Sequence, residues 1–271
     1  MFESFYGLEK NPFKKTPDPS FLYYSKGHKE AYARLHYAVE EREIILLTGE
    51  VGCGKTTLSR ALMDALDETY IPIVMVGPLF GPGELLTHLA HRLNVTEPSL
   101  LRIELMEQIG SKFFELYQEG LCPVIIIDEA QLIPGREGLD ELRLLTNLQL
   151  DDENLFSLVL LGQPELRERL LSGYNEAFRQ RIGVQYHLGV LNYEEVREYL
   201  RFRLTKAGRE EPLFTEPAME ELHRFSNGVP RKINNLASSA LLEGFGRGAV
   251  FIDRDIILSV AKDYGLIRLH A

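Results

Sequence analysis

Ile44-Ile45-Leu46-Leu47-Thr48-Gly49-Glu50-Val51-Gly52-Cys53-Gly54-Lys55-Thr56-Thr57-Leu58-Ser59-Arg60-Ala61-Leu62 joins an apolar run, a glycine-rich turn and a helical pattern without a break. Gly49 to Thr56 fits G-x-x-x-x-G-K-[ST], with Glu50, Val51 and Cys53 in free positions and Thr57 following. The pattern fixes only four positions, so its weight comes from the strand before it and the helix after it. Glycines at 49, 52 and 54 let the backbone curl with its N–H groups turned inward onto phosphate oxygens. The helix N-terminus adds partial positive charge. Lys55 is then placed to reach the β- and γ-phosphates, and the Thr56 hydroxyl to ligate Mg²⁺. The expected ligands are ATP and Mg²⁺.

Outward from this stretch, short apolar runs alternate with longer helical patterns. Residues 44–48, 71–77, 123–128, 156–161 and 184–188 read as strands, the first four almost wholly apolar, as strands covered on both faces are. Helical patterns cover 28–41, 55–66, 83–93, 99–118 and 139–148. This alternation predicts an α/β fold with a five-stranded parallel sheet between two helical layers. After Asn192 the strands stop. Helices are expected over 193–207, 216–225, 231–245 and 253–262, several opened by capping residues at Asn192, Thr215 and Asp253. The predicted organisation is an α/β domain over 1–190, including an irregular aromatic arm over its first 26 residues, and an all-helical lid over 191–271.

Val124-Ile125-Ile126-Ile127-Asp128-Glu129 is an apolar strand ending in two carboxylates. At the carboxyl end of a parallel strand, Asp128 faces the crevice where Mg²⁺ is expected, and Glu129 suits a general base for the attacking water. Gln163, where the fourth strand meets Pro164, reads either as a γ-phosphate sensor or as a turn residue capping the next helix. Arg181, beside apolar Ile182, reads as an arginine finger at a subunit edge or as an ordinary surface cation; Arg179 leans further toward the latter. Arg231 opens a helix whose dipole disfavours a cation there, which a bound phosphate nearby resolves. The seven histidines show no metal-ligand spacing, and only a family resemblance places one of them, His28, near the nucleotide.

Composition excludes several classes. Hydrophobic residues at 45% and charged residues at 26% suit a packed core rather than disorder. The uncharged run 70–83 is broken by Pro72, Pro78 and Pro82, and no span of ~20 apolar residues is read. No secretory signal is read at the start, and two cysteines are too few for a disulfide framework or a structural zinc site. A cytoplasmic protein is expected. Net charge is −10, which disfavours generic coating of nucleic acid. The charge is uneven: residues 197–271 hold 12 basic and 10 acidic side chains, +2, and the first 196 hold 18 and 30, −12.

Taken in order, these elements resemble an AAA+ ATPase, and more narrowly the ExeA/GspA-like group associated with type II secretion. The resemblance spans the whole chain. It is carried by Phe5-Tyr6-Gly7-Leu8 with Asn11-Pro12-Phe13, by Pro17-Asp18-Pro19, by Asp128-Glu129-Ala130-Gln131 and by Glu141-Leu142-Arg143-Leu144-Leu145-Thr146-Asn147-Leu148. Leu161-Gly162-Gln163-Pro164-Glu165-Leu166 and Gly228-Val229-Pro230-Arg231 complete it. It implies Arg181 as a finger supplied in trans, Arg231 as a second sensor, residues 24–28 in the adenine pocket, and a homo-oligomer, up to a hexameric ring, with sites at subunit junctions. Sensor positions in AAA+ proteins are more often Asn or Thr than Gln. Secretion-type members continue into a membrane span and a periplasmic cell-wall-binding region; a fragment, a member docking on an inner-membrane partner, and a relative serving another machine all stay open. The preferred function is an ATPase that assembles a secretion or envelope complex through a protein partner. The alternative is an ATP-dependent regulator on duplex DNA resembling transposition ATPases, for which Arg197, Arg201, Arg203, Lys206 and Arg209 offer a basic stripe or a plain solvated face. A third reading is a nucleotide-gated adaptor with negligible turnover, against which Glu129 argues.

Overall fold

The computed structural model describes residues 1–14, 21–77, 84–150, 153–172 and 175–267. It resolves into two compact units, one of Lys29–Gly49 and Leu58–Leu188, the other of Met1–His28, Glu50–Thr57 and Gly189–Ala271. The quoted Pro17-Asp18-Pro19 and Gly83, the expected start of a helix, lie outside the described residues.

The first unit is built on β1 (Ile44–Gly49), β2 (Tyr70–Val76), β3 (Cys122–Asp128), β4 (Ser157–Gly162) and β5 (Val184–Leu188). All pair in parallel, in the order β2-β3-β4-β1-β5. Every residue of β1, β3 and β4 is buried, whereas the edge strands β2 and β5 are partly exposed. That is the signature of a sheet with helices on both faces: its central strands have no solvent side and carry no alternation. Pro72 is tolerated in β2 because that strand is at the edge. Helix α2 (Lys26–Glu40) leads into β1, and α3 (Lys55–Ala65), α4 (Leu85–Arg92), α5 (Arg102–Gln118), α6 (Gly135–Leu145), α7 (Pro164–Leu171) and α8 (Glu176–Arg179) supply the crossovers; the residues of α2 and α3 are divided between the two units. The core joins Ile73, Ile125, Ile127, Leu158 and Leu160 of the sheet to Leu86, Leu89, Ile109, Phe113 and Leu142 of the helices. Phe113 and Phe156 stack at 4.8 Å.

The second unit holds α1 (Phe2–Phe5), α9 (Tyr193–Lys206), α10 (Glu216–Ser226), α11 (Pro230–Gly246) and α12 (Arg254–Asp263). Asn192 closes a capping box with Glu195, and Asp253 accepts from the Ile256 N–H. Thr215 stands at the N-cap of α10 but makes no side-chain capping bond. The sequence groups the arm with the sheet; here four of its apolar side chains are buried in the helical core. Phe2, Tyr6, Leu8 and Phe13 lie among Leu200, Phe214, Ala237 and Ile252. Phe13 meets Phe214 edge-on at 5.9 Å, and Tyr23 meets Tyr199 at 5.8 Å. The physical reason is size: about 80 helical residues bury too little surface alone, and the arm's aromatics enlarge that core. No helix among the described residues is long and apolar enough to cross a membrane.

Candidate nucleotide site

In the sheet unit, register sets out the chemistry. Thr48 of β1 is opposite Gly162 of β4, and Asp128 of β3 is opposite Val76 of β2. Gly49, Asp128 and Gln163 therefore all lie at the carboxyl edge of one parallel sheet, where open α/β sheets take their ligands. Asp128 is buried, and its Oδ1 accepts the Glu129 N–H at 2.9 Å. Glu129 has φ +54, a left-handed conformation that few non-glycine residues adopt and that concentrates at functional sites. Its Oε2 accepts from Gln131 Nε2 at 2.5 Å and from Gln163 Nε2 at 3.2 Å. Gln131 Oε1 in turn accepts the Gln163 backbone N–H at 3.1 Å. Gln163 occupies the N-cap position of α7, yet its side chain makes no capping bond and is directed to Glu129.

Two residues that the sequence did not single out complete this edge. Gln131 was quoted in a motif without a role; the structure makes it the bridge between Glu129 and Gln163. Arg169 of α7 donates to the carbonyls of Gln131, Ile133 and Gly135 at 3.1, 2.8 and 2.6 Å, pinning the turn that follows the carboxylates. No spacing rule announces such an arginine, because its partners are backbone oxygens.

From Glu50 to Thr57 the candidate phosphate loop belongs to the helical unit. Gly52 and Gly54 have φ +85 and +108, so they need glycine for conformation alone. Both are also crowded: a Cβ on Gly52 would lie 2.5 Å from Arg231 Cβ, and one on Gly54 would lie 2.9 Å from His28 Nε2. The Gly52 carbonyl accepts the Arg231 N–H at 3.2 Å, joining the loop to the start of α11. Lys55 is buried, its Nζ donating to the Glu50 carbonyl at 3.1 Å and lying 4.0 Å from Cys53 Sγ. Burial pushes the Cys53 thiol pKa up, more than Lys55 beside it pulls it down, so the thiol form is favoured. His28 is buried with Nε2 2.9 Å from the Cys53 carbonyl and Nδ1 2.8 Å from Ser25 Oγ. Burial lowers its pKa ahead of opposing contributions from the Cys53 carbonyl and Glu195, which favours the neutral ring. A loop with alternating left-handed glycines, opening the eleven-residue α3 and carrying a lysine, fits a nucleotide's phosphates.

A family model described as AAA domain matches residues 38–170. The chain is also 38% identical over 271 residues to general secretion pathway protein A of Aeromonas hydrophila, covering 98% of this chain. It belongs to the AAA+ ATPases, in the ExeA/GspA-like group. The chain spans about half, 49%, of that relative's length. Among solved structures, Aeropyrum pernix ORC2 in ADPNP–ADP complexes matches with a TM-score of 0.64 at 16% identity, over 94% of this chain and 72% of that one. Aeropyrum pernix ORC1 in complex with DNA matches at 0.62 and 19% identity, over 88% and 65%. At these identities the likeness shows the AAA+ fold, a P-loop sheet followed by helices.

Two groups of arginines gain definition on this AAA+ frame. Arg181 is exposed, and its Nη1 donates to the Thr146 carbonyl at 2.5 Å, so the guanidinium is aimed by α6's end. The cations from Arg197 to Arg209 have different surroundings. Arg197 pairs with Glu194 and Glu216 at 2.8 and 2.9 Å. Arg203 is buried over the Phe21 ring with Nη1 on the Phe21 carbonyl at 3.2 Å, and Arg209 Nη1 donates to the Tyr6 carbonyl at 2.6 Å. Arg201 and Lys206 are exposed.

Proposed function

We propose that this AAA+ chain binds ATP with Mg²⁺ and hydrolyses it within an oligomer, to assemble or remodel a secretion or cell-envelope complex. The carrying observation is Glu129: a carboxylate held in a left-handed backbone, fixed by Gln131 and Gln163, next to Asp128 at the ligand-binding edge of the sheet. The loop over 49–57 binds the phosphates, with Lys55 on the β- and γ-groups. Thr56 and Asp128 would hold Mg²⁺, which when bound would neutralise phosphate charge. Glu129 takes the proton of the attacking water, while Gln131 and Gln163 keep its carboxylate oriented. Arg181 acts from a neighbouring subunit and Arg231 senses phosphate from the start of α11. Similarity to general secretion pathway protein A supports the envelope role, with the chain peripheral to the inner membrane through a protein partner. Engagement of Arg203 and Arg209 by carbonyls of the arm, and of Arg197 by two carboxylates, leaves Arg201 and Lys206 as the exposed cations of that stretch, which favours the protein-partnered reading over the DNA-bound alternative.

Lys55→Ala abolishes ATP binding measured by a fluorescent ATP analogue; unchanged affinity means the loop is not the site. Glu129→Gln keeps binding and lowers turnover by about 10²–10⁴, the contribution of a general base. Undiminished phosphate release in that variant would remove Glu129 from the mechanism.

A further inference from the structure

We infer that His28 is a positioning residue that holds the phosphate loop in its anion-receiving form by donating a hydrogen bond to the Cys53 carbonyl. The inference rests on the nucleotide-site reading above and assigns His28 a task other than contact with adenine. A trans peptide unit points its C=O and its N–H in opposite directions. Tying the Cys53 oxygen to His28 therefore turns the N–H of the same peptide, that of Gly54, to the opposite side of the loop. Phosphate-binding loops need their N–H groups turned inward and must find donors elsewhere for the carbonyls left facing out. His28 Nε2 is such a donor, 2.9 Å from that oxygen.

The ring is set for this and nothing else. A carbonyl can only accept, so Nε2 carries the proton and Nδ1 presents a lone pair. Ser25 Oγ–H fills it at 2.8 Å, and the same Oγ accepts the His28 backbone N–H at 3.3 Å, as an N-cap serine of α2 does. Both ring nitrogens are thus engaged by protein, and the side chain is 4% exposed, leaving no polar atom for a base. The approach is so close that Gly54 has no room for a Cβ, which would sit 2.9 Å from Nε2. Arm and loop, 25 residues apart in sequence, are thereby coupled by one imidazole.

The test uses the full chain with a fluorescent ATP analogue and steady-state phosphate release, comparing wild type, His28→Phe, His28→Gln and Ser25→Ala. His28→Phe keeps ring volume without a donor; Kd and KM for ATP should rise about tenfold, the scale of one lost buried hydrogen bond, with kcat within about twofold. The His28→Gln amide can donate again and should recover most of the affinity. If His28→Phe does not fold, Ser25→Ala unlatches the ring from behind and should raise Kd in the same direction by a smaller factor. Wild-type affinity in the folded His28→Phe or Ser25→Ala variant, or equal losses in His28→Phe and His28→Gln, overturns the inference. Lys55→Ala measured alongside separates the two failures: if it alone loses ATP, the site stands and the His28 role falls; if it too binds normally, the site itself is wrong.

Discussion

Gly228 shows how a single missing Cβ can be required by its surroundings. Its φ is +71, and a Cβ there would lie 1.9 Å from the Leu191 carbonyl oxygen, while its own carbonyl accepts the Leu191 N–H at 2.9 Å. Backbone cannot retreat as a side chain can, so Gly228→Ala should destabilise the chain by about 1–3 kcal/mol or more. The melting temperature, followed by circular dichroism, should fall ~2–4 °C per kcal/mol. At this scale the candidate groups with chemistry of their own were singled out from sequence: Lys55, Asp128 and Glu129 stand in patterns, a glycine-rich loop after a strand and a carboxylate doublet at a strand end, that suit phosphate and metal chemistry. Gln131, Ser25 and Arg169 were not, because each matters through the atom it meets, and no spacing encodes that meeting.

Among the elements, α6 turns a sequence signature into mechanics. Its Glu141 is buried, with Oε2 accepting the Leu85 N–H at the start of α4 at 3.1 Å, and its C-cap Thr146 receives Arg181. Glu84, the α4 N-cap residue, makes no side-chain cap, so Glu141 does that work from another helix. Glu141→Ala should cost about 1–3 kcal/mol by orphaning a buried donor, whereas Glu141→Gln retains an acceptor and should cost much less. Burial raises the Glu141 pKa above its ordinary 4.5, against Arg102 and the α4 N–H groups. The folded state therefore binds this proton more tightly than the unfolded chain. That contribution to stability is full below about pH 4.5 and is lost as pH rises through the raised folded value. The melting-temperature difference between wild type and Glu141→Gln should accordingly shift against wild type as pH rises through that window; a pH-independent difference would show the carboxyl to be unperturbed. The α6 amphipathic pattern was legible in sequence over 139–148, but the helix runs Gly135–Leu145, and its cross-helix cap belongs to packing alone.

For the whole molecule, the decisive question is association. If Arg181 completes a neighbour's site, Arg181→Ala and Glu129→Gln subunits, each inactive alone, should regain some ATPase activity when mixed, since one kind of junction then has both groups intact. No recovery at any ratio removes the trans finger. Light scattering on the Glu129→Gln protein should show a larger mass with ATP–Mg²⁺ than without, indifferent to added duplex DNA. An assembly that forms only on DNA would reverse the choice between the protein-partnered motor and the DNA-bound regulator, despite the −10 charge.

Sequence by itself determined the parallel sheet, the phosphate loop and the carboxylate doublet, because those features are local: a buried strand must be apolar, and a phosphate turn must have its glycines and lysine within a few residues. The five strands came out within a residue or so of expectation for the same reason. Only the tertiary structure decided where the arm belongs, which arginines remain available, and what holds Glu129 and the loop in place. Those depend on contacts between residues tens to hundreds of positions apart, such as Tyr6 with Arg209, His28 with Cys53 and Glu129 with Gln163. Hydrogen-bond geometry and shared burial decide such pairings, and neither leaves a periodic mark on the chain.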